Sequence, residues 1–387
     1  MYKLSILILS LYAFIHASDS TDFPQQMQDF SLYKQSQQDQ FQAYKQAQMK
    51  AYDAYKKELS AFWDDPKLSS KENWLSYSKD HKTRCDVDFK NEEIIIQTVA
   101  SSAKDAQLNL KIALAKAVSI DTKTLQEIDP LEQKLSKIPK PFDLEDAPVN
   151  KKPILSTVIF DNNLTKDTLK KYVEKKISTP KMVVVESNKV KESKVYTIAV
   201  KLPSDTMLKR SKIYLNDVTK YAKKEGLPKS LVFAIMHSES SFNPRAKSHI
   251  PAYGLMQIVP RTAGRDTYKY LYKKDKLVSG NYLYNSKNNI QMGSAYLHIL
   301  YYRYLRKIDN PKSRLYCAIA AYNTGSANVA YAFIKRKNMG MAAPIINKLT
   351  PTQVYGMLIR NLQYDEPKHY LKKVSKRMAL YTEVYGD

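Results

Sequence analysis

Among the residues of this chain, Glu239 has the type and setting best suited to chemistry. In the stretch LPKSLVFAIMHSESSFNP, residues Leu231, Ala234, Ile235, Ser238, Glu239 and Phe242 recur at spacings of three and four, which puts them on one helical face. Asn243-Pro244 stops that helix just beyond the glutamate. Removal from water disfavours the charged form of any carboxylate, and a protonated carboxyl is what a general acid needs near neutral pH. The plainer reading is a glutamate satisfied by an arginine or by backbone amides. Glu239 is also the only acidic residue between Gly226 and Arg265.

Three stretches downstream change the weight of that residue: YGLMQIVPRTAG (253–264), NNIQMGSAYL (288–297) and AIAAYNTGSANVAYAF (318–333). Their order resembles the lytic transglycosylase family, whose catalytic domain is lysozyme-like. The matching pieces are Glu239-Ser240 with Phe242-Asn243-Pro244, then Gly254-Leu255-Met256-Gln257, then Asn289 with Gly293 and Tyr296-Leu297, then Ala321-Tyr322-Asn323-Thr324-Gly325. Each piece is weak alone; four in order are a strong signal. WLSYSKDHKTRCDVDFKNEEIII further upstream is similar to the N-terminal domain of a membrane-bound branch of that family. Members of that branch are lipoproteins, and here no cysteine stands near the expected cleavage site.

The resemblance implies a peptidoglycan-cleaving enzyme with one catalytic carboxylate. Glu239 would protonate the oxygen between N-acetylmuramic acid and N-acetylglucosamine. It would then take the proton of the muramoyl 6-hydroxyl, which attacks its own anomeric carbon and leaves a 1,6-anhydro end. An intramolecular nucleophile gains from proximity, so a second protein carboxylate is not required. By matched motif, Tyr322 would hydrogen-bond near Glu239, while Asn323 and Gly325 would shape the turn after the helix. Ser248 and Gln257 would contact sugar hydroxyls or acetamido groups, and Met256 would pack on a sugar face. Tyr370 aligns with a late family motif. For Met256 and Tyr322 the plainer reading is core packing. His237 and His249 are expected beside the cleft rather than in the reaction.

Two competing readings are carried forward. A hydrolytic muramidase of goose-lysozyme type would need a second carboxylate, for which Asp266 and Asp275 are the candidates. A non-catalytic wall-binding scaffold would instead use the long aromatic helix described next.

The elements that must position these residues divide the chain. Residues 201–387 hold 32 Lys/Arg against 11 Asp/Glu, a net +21 of the chain's +24, and all 9 glycines lie at Gly226 or later. The pattern there is helical almost throughout. Residues 67–200 read as a small α+β domain. Val87 and Phe89 alternate with charged residues, 94–96 return as a strand, 102–128 form a helix, and 134–152 form a linker. Strands at 153–160 and 194–202 flank a helix at about 165–177. Ahead of it, in 18–66, Phe30, Phe41, Tyr52 and Trp63 fall 11 apart, as do Tyr33, Tyr44 and Tyr55. Eleven residues close three helical turns, so one aromatic stripe runs along a long helix that ends at Asp64-Asp65-Pro66. It packs on the body of the protein or a second copy, or it docks an envelope partner. The overall expectation is an α+β chain: a mostly α-helical lysozyme-like C-terminal domain, a small α+β domain before it, and a long N-terminal helix.

Met1-Tyr2-Lys3, the apolar run from Leu4 to Ala17 and the polar SDSTD after it predict a secretory signal cleaved after Ala17. Export places the chain in the periplasm of a Gram-negative bacterium and argues against nucleic acid as the polyanion matching its charge. Peptidoglycan strands, with lactyl and peptide carboxylates, are the expected partner, and a solvated basic surface is the alternative. The six histidines show no ligand spacing, so no metal and no cofactor is expected. Cys85 and Cys317, the only cysteines, could pair across the regions or stay as separate buried thiols.

Overall fold

The computed structural model describes residues 23–141, 144–161, 163–178, 182–249 and 252–387; the predicted signal at 1–17 and the side chains of Phe30 and Tyr33 lie outside the described residues. In the first half of helix α1 (Phe23–Leu59) the described side chains are exposed, Met27 and Leu32 among them. From Phe41 onward its aromatic stripe lies on the body of the protein. The Arg261 guanidinium sits 4.7 Å over the Phe41 ring and the Lys247 ammonium 3.6 Å over that of Tyr52. Tyr55, Leu59 and Trp63 then close a small core against Leu75, Tyr77 and Val99. Body packing is therefore the fate of the described lower stripe. The helix stops at Leu59, short of the expected Asp64-Asp65-Pro66.

Strands β1 (Asn73–Tyr77), β2 (Thr83–Asp88) and β3 (Glu93–Ala100) follow, then α2 (Ala103–Ser119), α3 (Thr122–Ile128), α4 (Pro130–Ser136), the short β4 (Leu144–Glu145), α5 (Ser156–Phe160), α6 (Lys166–Ser178), β5 (Val183–Glu186) and β6 (Lys194–Lys201). The five longer strands make one antiparallel sheet in the order β1-β2-β3-β6-β5. Alternation decides its faces: Trp74, Cys85, Val87, Ile94, Ile96, Ile198 and Val200 pack under Leu110 and Leu114 of α2.

Two sequence expectations fail here. The helix expected over 102–128 breaks in two, because Asp121 caps a new helix by accepting hydrogen bonds from the Lys123 and Thr124 amides. The strand expected at 153–160 is instead a bend followed by α5, with Ile154 and Leu155 before the helix and Val158 on it all buried, the first two in the sheet's core. A short apolar run does not distinguish strand from helix, and the edge place in the sheet goes to β5, which the sequence did not suggest.

The helical region comprises α7 (Thr206–Lys212), α8 (Leu215–Glu225), α9 (Lys229–Ser240), α10 (Arg265–Tyr272), β7 (Leu277–Val278), α11 (Gly280–Tyr284), α12 (Ser286–His298), α13 (Pro311–Thr324), α14 (Ser326–Ile334), α15 (Met339–Ile346), α16 (Pro351–Asn361) and α17 (Asp365–Tyr385). At its centre α9 is apolar nearly all round and is buried on every side from Ser230 to Met236, as such a helix must be. It packs along α17, where Phe233 stacks on Tyr381 and Tyr385 with centroids 5.3 and 4.6 Å away. Cys317 is buried in this core and Cys85 in that of the sheet; both are free thiols.

The two regions interlock. β4 and β7 pair in parallel. Arg245 meets Glu132 at 2.6 Å and Gln126 at 2.5 Å while lying 3.9 Å over the Tyr284 ring. Arg210, almost wholly buried, donates to the Phe89 carbonyl at 2.8 Å.

Candidate active site

Glu239 occupies the last turn of α9 and is 6% exposed. The helix ends abruptly because Ser241 and Phe242 both take left-handed backbone, with φ of 50° and 61°. Such conformations in residues other than glycine cost about 1–3 kcal/mol each and persist only where the surroundings fix them. Here the Phe242 ring is locked between Tyr214 and Phe233, and the Asn243 side chain accepts from the Arg245 amide at 2.9 Å. The chain turns away at once and leaves the carboxylate at the cleft.

Among the described residues, Glu239 pairs with no arginine and bonds to no backbone amide. Its carboxylate pairs at 2.9 Å with the ammonium of Lys71, a residue of the loop before β1 in the N-terminal domain. Beside it stand the phenols of Tyr370 and Tyr322. Burial, and then the charge of Glu239, push both phenols well above their ordinary pKa, so both stay protonated. The Tyr370 hydroxyl is buried and reaches no partner at full hydrogen-bond geometry among the described residues. The Tyr322 hydroxyl donates to the Met256 carbonyl at 2.8 Å. Tyr322 therefore stands near Glu239, as expected, but is anchored elsewhere.

The 253–257 turn is held by Asn289, whose side-chain oxygen accepts from the Met256 amide and whose nitrogen donates to the Tyr253 and Leu283 carbonyls, all at 2.8 Å. Gly254 has φ +74°, and a Cβ there would strike Asn289 and the Leu283 carbonyl. At Gly293 a Cβ would strike Met256. Met256 is accordingly fully buried, which corrects the expectation that it packs on a sugar: the glycine on α12 exists to admit its side chain.

Gln257, also in left-handed backbone at φ 49°, donates to the Ala246 and Gly254 carbonyls at 3.1 and 3.0 Å. Its Oε1 is buried at the cleft wall with no partner among the described residues. Ser248 lines the cleft, with its hydroxyl accepting from the Ala252 amide at 3.2 Å. Asn323 also lines it, donating to Glu366 at 3.3 Å, and Gly325 at φ +84° ends α13. His249 lines the cleft too, whereas His237 is packed between Phe242 and Tyr381. Burial, reinforced by Arg377, Arg210 and Lys373, holds the His237 imidazole down to about 3.

These residues surround a cleft of about 1210 Å³ walled by both regions, with Tyr52, Asp53 and Lys56 of α1 and residues 65–73 forming the N-terminal side. Its lining holds Asp53, Asp65, Glu72, Asp86, Glu239 and Glu366 against Lys56, Lys67, Lys71 and Lys247. The net charge of the helical region is thus not concentrated in the described cleft lining. Asp275 is paired with Arg265, and Asp266 accepts from the Tyr304 hydroxyl at 3.1 Å; neither lines the cleft. Glu239 is the one buried carboxylate among the described cleft residues.

The family model "Transglycosylase SLT domain" matches residues 217–343, and "Membrane-bound lytic murein transglycosylase C, N-terminal domain" matches 41–212. A membrane-bound lytic murein transglycosylase C of Klebsiella pneumoniae is 33% identical over 314 residues, spanning 81% of this chain and 83% of that one. The chain belongs to the lytic murein transglycosylase family. The protein of the same name from Serratia proteamaculans is 32% identical over 317 residues, covering 81% and 83% of the two chains. The 70 kDa soluble lytic transglycosylase of Escherichia coli is 25% identical over 47% of this chain and 26% of that one, with a TM-score of 0.36. As a lytic transglycosylase the protein is an enzyme, with a lysozyme-like catalytic region behind a small sheet domain. Among the described residues, no helix is long and apolar enough to cross a membrane.

Proposed function

We propose that Glu239 is the single acid and base of a non-hydrolytic cleavage of peptidoglycan strands. Its carboxyl gives a proton to the oxygen joining N-acetylmuramic acid to N-acetylglucosamine as the bond from that oxygen to the anomeric carbon breaks. The carboxylate so formed takes the proton of the muramoyl 6-hydroxyl, whose oxygen bonds to the anomeric carbon. The products are a 1,6-anhydromuramoyl end and a free N-acetylglucosamine 4-hydroxyl, and Glu239 regains its proton. The observation that carries this reading is the single buried carboxylate among the described cleft residues, flanked by two phenols that stay protonated. Tyr370 acts there as the neutral donor beside the carboxylate, and Tyr322, bonded to the Met256 carbonyl, walls it. The partnerless Oε1 of Gln257 suits an acetamido N–H, and Ser248 and Asn323 offer polar contacts along the wall.

The substrate places the protein in the periplasm, reached through the signal read at 1–17. The exposed described side chains in the first half of α1 offer a surface to other envelope proteins. The test is mass spectrometry of muropeptides released in heavy-oxygen water. Anhydro ends free of the label are expected; labelled reducing ends would mean a hydrolase.

A further inference from the structure

The contact between Lys71 and Glu239 crosses the boundary between the regions, and it sits where the reaction needs something else. The ammonium is 2.9 Å from Oε2 of the only buried carboxylate in the described cleft lining. That is the space a glycosidic oxygen must enter to receive a proton. The backbone carrying Lys71 is fixed from both sides. The Ser70 hydroxyl accepts from the Glu72 and Asn73 amides at 3.3 and 3.1 Å. The Ser70 carbonyl accepts from the Lys247 amide at 3.2 Å, and the Lys71 carbonyl accepts from the Asn243 side chain at 3.5 Å. Asn243 and Lys247 belong to the turn that follows the catalytic helix, so the N-terminal loop is registered on the glutamate itself.

The side chains are less symmetrical than the backbone. That of Glu239 is 7% exposed and fixed on a helix, whereas that of Lys71 is 33% exposed on a flexible four-carbon stem at the open cleft. Of the two, Lys71 can move. Withdrawal of Lys71 opens the space beside the carboxyl to a glycosidic oxygen, and a displaced ammonium needs another anion. The muramoyl sugar supplies one, since its lactyl group hangs from the ring whose anomeric bond breaks and ends either in a free carboxylate or in a stem peptide with carboxylates of its own.

Resting on the transglycosylase reading, we propose that Lys71 is a specificity-determining residue that exchanges Glu239 for a substrate carboxylate, so that the acid is freed only when an anionic muramoyl sugar occupies the cleft. The N-terminal domain then takes part in choosing the substrate as well as walling the groove. Glycan lacking the anion leaves the ion pair closed and is cleaved slowly.

The test uses the full chain and three glycan substrates: strands with their stem peptides, strands stripped to free lactyl carboxylates, and stripped strands whose lactyl carboxylates have been converted to methylamides. The wild type is expected to show a kcat/KM about tenfold or more lower on the neutral strands than on the better of the charged ones. Comparison of the two charged substrates tells which carboxylate Lys71 meets. Lys71→Met should cleave neutral and charged strands alike, and Lys71→Arg should restore the preference, which a purely structural role would not predict. Lys71→Gln serves if the methionine variant fails to fold. Equal rates for the wild type on all three substrates, or a wild-type preference surviving in the Met and Gln variants, would overturn the proposal. Neither result touches the reaction itself, which is read separately from the anhydro ends; their absence from every wild-type digest would instead sink the transglycosylase reading.

Discussion

The sheet domain and the helical domain meet along one cleft but contribute different things to it. The helical side brings a fixed acid: Glu239 is anchored in a helix buried on nearly every side, and the Asn289 network and two tightly packed glycines hold the turn that carries Tyr322's acceptor and Gln257. The sheet side brings movable charge, with Lys67, Lys71 and Glu72 on a loop and Asp53 and Lys56 on the exposed side of α1. The helical region carries most of the chain's net positive charge, yet the cation paired with the catalytic carboxylate comes from the other region. Net charge per region thus says little about the site; which region holds its groups rigidly says more.

The comparison breaks first at the joint between the regions. Arg245→Met leaves Glu132, itself nearly buried, without its partner, and should cost about 3–5 kcal/mol, read as a lowered denaturant midpoint. The double change Arg245→Met with Glu132→Gln should recover much of that loss; failure to recover would mean the pair is not the joint. Within the rigid side, Gly293→Ala drives a methyl into Met256 and should cost about 1–3 kcal/mol. A neutral outcome on thermal melting would show that this packing has slack. Tyr370→Phe removes a buried donor beside Glu239 and should lower kcat about tenfold with little change in KM. A change in KM alone would move Tyr370 from the acid to the substrate.

The smallest effect is in pH dependence. The His237 imidazole is held down to about 3 in the folded chain. An unfolded histidine takes its proton near pH ~6.5. Between those values the unfolded chain binds more protons, so stability is lost as pH falls. His237→Asn should flatten that slope in melting temperature below about pH 6.5, and an unchanged slope would place the acid sensitivity elsewhere.

The fixed side of the cleft was largely legible in the sequence, because it is built from local patterns. The three-and-four spacing around Glu239, the Asn-Pro stop, and Gly254, Asn289 and Gly293 in order are all readable within single elements. The same holds for the alternation in β2 and the return of β3. The movable side was not legible. Nothing in the residues around Lys71 marks it as the partner of Glu239, since that pairing depends on how the regions dock. Packing within each region decided the small failures: α5 lies where a strand was expected while β5 takes the sheet's edge, and Met256 is buried where a glycine on another helix makes room for it.

The central claim is that one carboxylate, Glu239, serves as both acid and base. The direct test is the yield of anhydro-ended muropeptides from the full chain carrying Glu239→Gln, measured beside the wild type, with melting curves to show that both are folded. The account predicts a loss of about 10³-fold or more at an unchanged melting temperature. A folded variant that released anhydro ends at the wild-type rate would contradict it.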